Sequence, residues 1–368
     1  MAIPAKSKVS RAAQLIELYL APTQQASSTM VPIANVVQPE DFIDPFSEAS
    51  IEDMRHCPVC ASTAVVYSAS ATDKLFSSSP RVWLYYRCKH CCSLYLHNRP
   101  KPEFVHLAYA NYYTHGATTG PVNSHVNDLL ARYLAADKNN TFFARLVTAI
   151  PPIRSFFDAK TKGISQKEPG RLFDFGCGNG NFLKLSSGIG WVSHGCDFDR
   201  SAVEAARQKG LSVTHGGVDA LERQPNDYFD LITLSHVIEH LHEPNALLAV
   251  CKKKLREGGT LWIETPNANA RGFELFGPNW RGLEPPRHLQ LYSQKALSFA
   301  LETEGFQEIE IMGHFLSGAY IFVQSAKLEA SRLSFVWRTT AAVRGLLHDL
   351  YSTINPAQSE FLTLTCKK

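Results

Sequence analysis

The residues best suited to chemistry are acids, glycines and histidines set at short intervals in the second half of the chain. Asp174-Phe175-Gly176-Cys177-Gly178-Asn179-Gly180 places a carboxylate two residues ahead of three alternating glycines. Glycines let the backbone turn sharply and let a ligand lie against it. The amides that open the next helix favour negative charge. A pyrophosphate turn reads G-x-G-x-x-G. Here the acid stands where it would repel a phosphate and accept from an ammonium. A ligand carrying both an amino group and a carboxylate suits it better, such as the methionine end of S-adenosylmethionine. Asp174, Gly176, Gly178, Asn179 and Gly180 are the expected cofactor contacts. A plain glycine turn in a nicotinamide oxidoreductase is the competing reading.

A second set is Ser235-His236-Val237-Ile238-Glu239-His240, which follows an apolar run. Ser235 is expected against the cofactor. His240, oriented by Glu239, is the expected general base, with His236 as the alternative, because histidine titrates near neutrality. His236, Glu239 and His240 also spell H-x-x-E-H, an inverted zinc-peptidase motif. That motif needs a helix starting before His236, whereas here a strand runs straight into it.

A third set is made of thiols. Five of the nine cysteines lie between Cys57 and Cys92, and two C-x-x-C knuckles are separated by 27 residues. Cys57, Cys60, Cys88 and Cys91 supply four thiolates, matching tetrahedral zinc. Four cysteines leave no open position, so the metal is expected to be structural. Cys92 sits where such ribbons usually carry glycine and competes with Cys91. The flanking strands, 64–68 and 82–87, enclose too little core to fold alone, so metal binding would supply folding free energy. Clustered thiols also point to a reducing, cytoplasmic location rather than a disulfide framework.

The elements that must position these groups read as α/β. Strand and helix alternate from residue 170 onward, which predicts a Rossmann-like, doubly wound, mostly parallel seven-stranded sheet. The predicted strands are 171–175, 191–196, 211–214, 229–234, 260–264, 306–312 and 361–366. Ligands in such sheets bind outside the carboxyl ends of the strands. Asp197, ending the second strand, is placed for ribose hydroxyls, and Asp199 for capping the next helix. The loop 273–288 holds Trp280, Arg281, Arg287 and His288. It is expected over the substrate, with either arginine pairing a phosphate or carboxylate. Residues 1–50 read as a loose arm, 51–100 as a small zinc β-ribbon and 101–169 as a helical connection and cover. Tyr109, Tyr112, Tyr113 and His115 either face the site in that reading or, the favoured expectation, serve core packing and the linker. Within the main domain, 170–368, the apolar insertion 315–351 reads as a lid or a homodimer surface.

The net charge of +3 is too mild to argue for nucleic acid. No apolar run approaches the ~18 residues of a membrane span, and residues 1–10 carry no signal-peptide core.

Taken in order, "LFDFGCGNG", "GCDFD", "YFDLITLSHVIEHL" and "LREGGTLWIETPN" resemble the class I S-adenosylmethionine-dependent methyltransferases. Within them the chain is most similar to the group holding ubiquinone-pathway O-methyltransferases and sugar methyltransferases. "PPRHLQLYS" is also typical of that group. The resemblance implies that the seventh strand inserts antiparallel beside the sixth, and that Asp219 reaches the adenine amino group. A cysteine ribbon joined to this domain is similar to nucleotide-sugar C-methyltransferases. In those enzymes a Glu-His pair is implicated in acid–base work, which carries over to Glu239 and His240. Some quinone enzymes bind a divalent ion through Glu-x-x-Glu-His; here His236 replaces the first Glu. The expected activity is methyl transfer to a small polar metabolite, a saccharide or nucleotide-linked sugar. A quinone-type O-methyltransferase and a non-catalytic cofactor-binding protein are the alternatives.

Overall fold

The computed structural model describes residues 44–109, Leu130, Tyr133, Leu134 and 149–368, apart from 314–316 and 330–333. Most of the expected N-terminal arm, much of the expected helical connection 101–169, and Tyr112, Tyr113 and His115 lie outside the described residues.

In chain order the first strands are β1 (Ile51–Asp53), β2 (Val65–Ala71), β3 (Trp83–Cys88), β4 (Leu94–Leu96) and β5 (Asn98–Pro100). Helix α1 (Pro151–Lys160) opens on two prolines, whose missing N–H groups cost nothing at a helix start. Then follow β6 (Arg171–Phe175), α2 (Asn181–Gly188), β7 (Val192–Asp197), α3 (Arg200–Gln208), β8 (Ser212–His215), α4 (Val218–Glu222) and β9 (Phe229–Ser235). The rest are α5 (Pro244–Lys254), β10 (Leu255–Pro266), α6 (Arg271–Phe276), β11 (Gln290–Leu291), α7 (Gln294–Thr303), β12 (Gln307–Met312), α8 (Ser317–Glu329), α9 (Phe335–Ser352) and β13 (Phe361–Lys367).

Seven strands form one sheet in the order β12-β13-β10-β9-β6-β7-β8. β8, β7, β6, β9 and β10 are parallel, and β13 runs antiparallel between β10 and β12. Central strands buried on both faces need continuous apolar runs, which β6 and β9 supply through Leu172, Phe173, Leu231, Ile232 and Leu234. All five parallel strands therefore end on one edge, where Gly176, Asp197, His236 and Asn267 begin the connecting loops.

The ribbon is not a free-standing module. β2, β3 and β4 are completed by β11 into a second sheet, in the order β11-β4-β3-β2. Cys57, Cys88, Cys91 and Tyr95 share one buried cluster with Phe173, Ile232 and Leu297 of the main domain. Ser293, the N-cap of α7, also donates its hydroxyl to the Cys91 carbonyl at 2.6 Å.

The insertion consists of α8 and α9, and Asp349 of α9 accepts from the Gly318 and Ala319 amides that open α8, at 2.7 and 3.1 Å. Among the described residues no helix is long and apolar enough to cross a membrane.

Candidate active site

The glycine turn joins β6 to α2 as expected. Gly176, Gly178 and Gly180 have φ of +74°, +53° and +78°, a left-handed conformation that disfavours other residues. Space adds a second constraint: a Cβ on Gly180 would lie 2.4 Å from Leu211 Cδ1, and one on Gly176 2.7 Å from Val237 Cγ2. The half-buried Asn179 has its carbonyl held by Lys209 Nζ at 2.7 Å.

Asp174 is 1 % exposed. Its Oδ1 accepts from Lys162 Nζ at 2.6 Å and from Thr233 Oγ1 at 2.5 Å. Its Oδ2 has no donor among the described residues. That oxygen is left to accept from a ligand or water. Asp197 is also buried. Its Oδ2 accepts from the Gly178 amide at 2.8 Å and its Oδ1 from the Asp199 amide at 2.9 Å, which braces the turn from the neighbouring strand. Asp199 caps α3 through Ser201, as read from the sequence. Phe198, between the two acids, is 61 % exposed and meets the Tyr109 ring edge-on at 5.5 Å. It offers an exposed flat apolar face beside Asp197, which the sequence reading did not single out. Asp219 lies at the start of α4, exposed and paired with Arg223 at 2.7 Å. This is a solvated arrangement, on the edge where the parallel strands end.

Beyond β9 the histidines separate in role. His236 has φ +54° and is held between two carboxylates, 3.3 Å from Glu239 Oε1 and 3.2 Å from Glu264 Oε1. Burial pushes its pKa down, but hydrogen bonds to Glu239 and Glu264 outweigh that and raise it to about 10. Burial would raise the Glu239 pKa, yet His236 and its neighbours hold it below the ordinary value. An imidazolium at neutral pH has no lone pair, so this geometry disfavours His236 as a base. Glu239 is fully buried and takes Thr265 Oγ1 at 3.0 Å on its other oxygen. The expected orientation of His240 by Glu239 is therefore corrected: Glu239 orients His236. Residues 238–240 form a short 3-10 turn rather than an α-helix, which also removes the inverted peptidase motif.

His240 Nδ1 lies 3.1 Å from the Arg287 carbonyl and 3.1 Å from the Tyr109 hydroxyl. A nitrogen facing a carbonyl carries the proton, which leaves Nε2 as the basic position. Nε2 has no hydrogen bond among the described residues. Tyr109 is thus brought against His240. His288 is buried, donates from Nδ1 to the Gly282 carbonyl at 2.8 Å, and meets His240 edge-on at 4.8 Å. Burial pushes its pKa down to about 4, so it is neutral. Donor atoms of Glu239, His240 and His288 lie within 4.8 Å of one another.

The loop expected over the substrate is folded inward, and three expected contacts need correction. The Trp280 indole is buried and donates to Glu360 Oε2 at 2.7 Å. Arg287 is fully buried, binding Glu284 at 3.1 Å, Asp73 at 3.3 Å and the Ala108 carbonyl at 2.9 Å, with its guanidinium 3.8 Å above Phe76. Arg281 is tied to Glu284. Burial would raise the Glu284 pKa, but Arg281, His288 and Arg287 hold it far below the carboxylate range. Arg287 ties the loop to Asp73 and Ala108 of the N-terminal half, Trp280 ties it to Glu360 beside β13, and Arg281 braces it internally, so none of the three reaches outward.

The four cysteines come together as expected, with all four Sγ atoms within 4.8 Å of one another. Cys57 and Cys91 are 3.6 Å apart, as are Cys60 and Cys88. A tetrahedron of thiolates at ~2.3 Å from zinc has edges near ~3.8 Å, so the donor set fits. The His90 and Cys91 amides donate to Cys88 Sγ at 3.3 and 3.5 Å, the kind of support a ligating thiolate receives. Cys92 takes φ +62°, the conformation glycine would favour, and stays out of the cluster.

Residues 148–311 match the methyltransferase domain family. Similar curated proteins include the ubiquinone biosynthesis O-methyltransferases of Shewanella sp. (27 % identical, covering 33 % of this chain and 53 % of that one) and Glaesserella parasuis (30 %, covering 34 % and 56 %). The chain spans about half the length of these curated relatives. Among solved structures, a SAM-dependent methyltransferase from Archaeoglobus fulgidus is 22 % identical, covering 57 % of this chain and 94 % of that one, with a TM-score of 0.41. Sheet order, glycine turn and family match bear on one region: residues 148–311 match the methyltransferase domain family and carry most of a Rossmann-like sheet.

Proposed function

We propose that this protein methylates a hydroxyl-rich small molecule, a saccharide or nucleotide-linked sugar, using S-adenosylmethionine, with one structural zinc in the ribbon. The observation that carries the reading is the open Oδ2 of Asp174, buried beside a turn of three left-handed glycines. When bound, the cofactor supplies an electrophilic methyl group on a sulfonium. The chain's part is to hold the donor, exclude water and take a proton from the acceptor. Positioning supplies much of the rate. His240 Nε2 accepts the hydroxyl proton, while the Arg287 carbonyl fixes the tautomer and Tyr109 supports the ring. Asp219 and Ser235 complete the cofactor edge in this reading.

The acceptor class rests on the likeness of a cysteine ribbon joined to this domain to nucleotide-sugar methyltransferases; a separate polar surface cavity of about 340 Å³ is lined by Asn269, Arg271, Glu274, His348, Tyr351 and Gln358. A second reading, a phenolic quinone precursor, is favoured by the names of the curated relatives. Incubation with labelled methyl donor and parallel panels of nucleotide sugars and catechols tests both. Label in the sugars is expected; label confined to the catechols overturns the first reading. Metal analysis is expected to find about one zinc per chain, and free thiols without metal would remove that part.

A further inference from the structure

Helix α9 buries its small residues and exposes its large ones. The face it turns to α8 carries Ala341, Gly345, Asp349 and Ser352, all buried. A Cβ on Gly345 would lie 2.5 Å from the Gly318 carbonyl oxygen, so the two backbones are in contact there. The large apolar side chains are on the solvent side: Ile354 is 77 % exposed, Val336 70 % and Leu347 61 %. Covering one such side chain stabilises by about 1.5–3 kcal/mol, so much stabilisation is unused while this face stays wet.

The exposed residues form a regular stripe. Val336, Thr340, Val343, Leu347, Leu350 and Ile354 follow one another at alternating intervals of four and three residues. That is a heptad seam, the repeat one helix presents to another. The helical path holds to the end of the stripe, since the Ile354 amide donates to the Tyr351 carbonyl at 3.1 Å just past α9. Trp337 and Tyr351 flank the seam and are also exposed. The stripe is ~27 Å long at the helical rise. Its exposed apolar surface is on the order of 800 Å², more than the roughly 300–600 Å² of the largest patch on a typical monomer.

We propose that this face is the interface of a homodimer, in which α9 pairs antiparallel with α9 of a second copy across a two-fold axis. A two-fold contact brings the same patch from both sides. Two copies together cover about 1,600 Å², the size of a standard stable interface. Antiparallel pairing also opposes the two helix dipoles. A lipid surface fits the helix less well. An interfacial helix needs a strongly charged face opposite its apolar one, whereas the opposite face of α9 is closed on α8. Tyr351 also lines the polar cavity described above, so the second copy borders that cavity. The pairing depends on neither cofactor nor acceptor.

Sedimentation equilibrium on the full chain at about 10–50 μM tests it, since interfaces of this size associate at micromolar concentration or below. The wild type is expected at twice the 40.9 kDa chain mass. Leu347→Glu and Ile354→Glu each put a charge into the seam at an exposed position. Each should keep the wild-type circular dichroism spectrum and weaken association by at least about 100-fold. Should either unfold, Leu347→Thr gives the same direction with a smaller shift. Val192→Glu, at an exposed apolar position on β7, should leave the dimer intact. A wild type that stays monomeric over this range overturns the proposal, and a monomer that floats with phosphatidylserine vesicles gives the face to a lipid surface instead. A dimer that survives the seam changes lies on another surface and overturns it equally. Dissociation by Val192→Glu to the same extent would reduce the result to a general effect of added charge and would also overturn it.

Discussion

The glycine turn at 174–180 and the loop at 280–288 are both rich in charge or aromatic surface, yet they end in opposite states. The turn leaves groups open toward the strand ends: Asp174 Oδ2 has no donor among the described residues. The loop closes its groups on the protein itself, with Trp280 on Glu360 and Arg287 on Glu284, Asp73 and the Ala108 carbonyl. The difference teaches that residue type alone does not mark a ligand contact. Whether its polar atoms are already taken by the protein matters more. The loop serves the site indirectly, since its Arg287 carbonyl and His288 ring set the orientation of His240.

The comparison breaks most visibly at Arg287. Replacing it by Met leaves Glu284 and Asp73 buried without their shared cation, and breaking such a network costs ~3–5 kcal/mol. Urea melts should show that loss, while cofactor affinity measured well below the midpoint stays near wild type. Strong loss of affinity with unchanged stability would return Arg287 to the ligand side.

His240→Ala tests the site rather than the scaffold. Turnover is expected to fall by about 10²–10⁴-fold, with cofactor affinity retained. Unchanged turnover would reject His240 as the base.

The smallest effect concerns His236. Its pKa is raised to about 10 in the folded chain, from an ordinary value near 6.5. A raised pKa contributes stability that is complete below the unfolded value and disappears as pH climbs through the folded one. The advantage of wild type over His236→Gln should therefore be full near pH 6, shrink above ~6.5 and vanish beyond ~10. The side chain is 39 % exposed, so screening limits the gain to about 0.5–1 kcal/mol. A difference that grows with pH would contradict the two-carboxylate arrangement.

Much of the scaffold was legible because local rules fix it. Strands β6, β9 and β13 fall within a residue or so of the apolar runs that announce them, and the cysteine spacing brings four thiols together. What was not legible depends on contacts between distant segments. β11 completing the ribbon sheet joins residues about 200 positions apart, and nothing in Gln290-Leu291 signals it. Glu239 was read as the partner of the adjacent His240, but the 3-10 turn turns it back to His236, three residues earlier. Lys162 was missed altogether; Lys162-Gly163 reads only as a helix stop, and its ion pair with Asp174 appears once the strand is in place. Asp73 and Glu360, which receive Arg287 and Trp280, carry no motif of their own.

Calorimetric titration with S-adenosylhomocysteine and, separately, with NADH tests the central claim most directly. S-adenosylhomocysteine should bind the wild-type chain, Asp174→Asn should weaken it by about 10- to 100-fold, and NADH should give no heat. Tight binding of NADH with no uptake of S-adenosylhomocysteine would contradict the account.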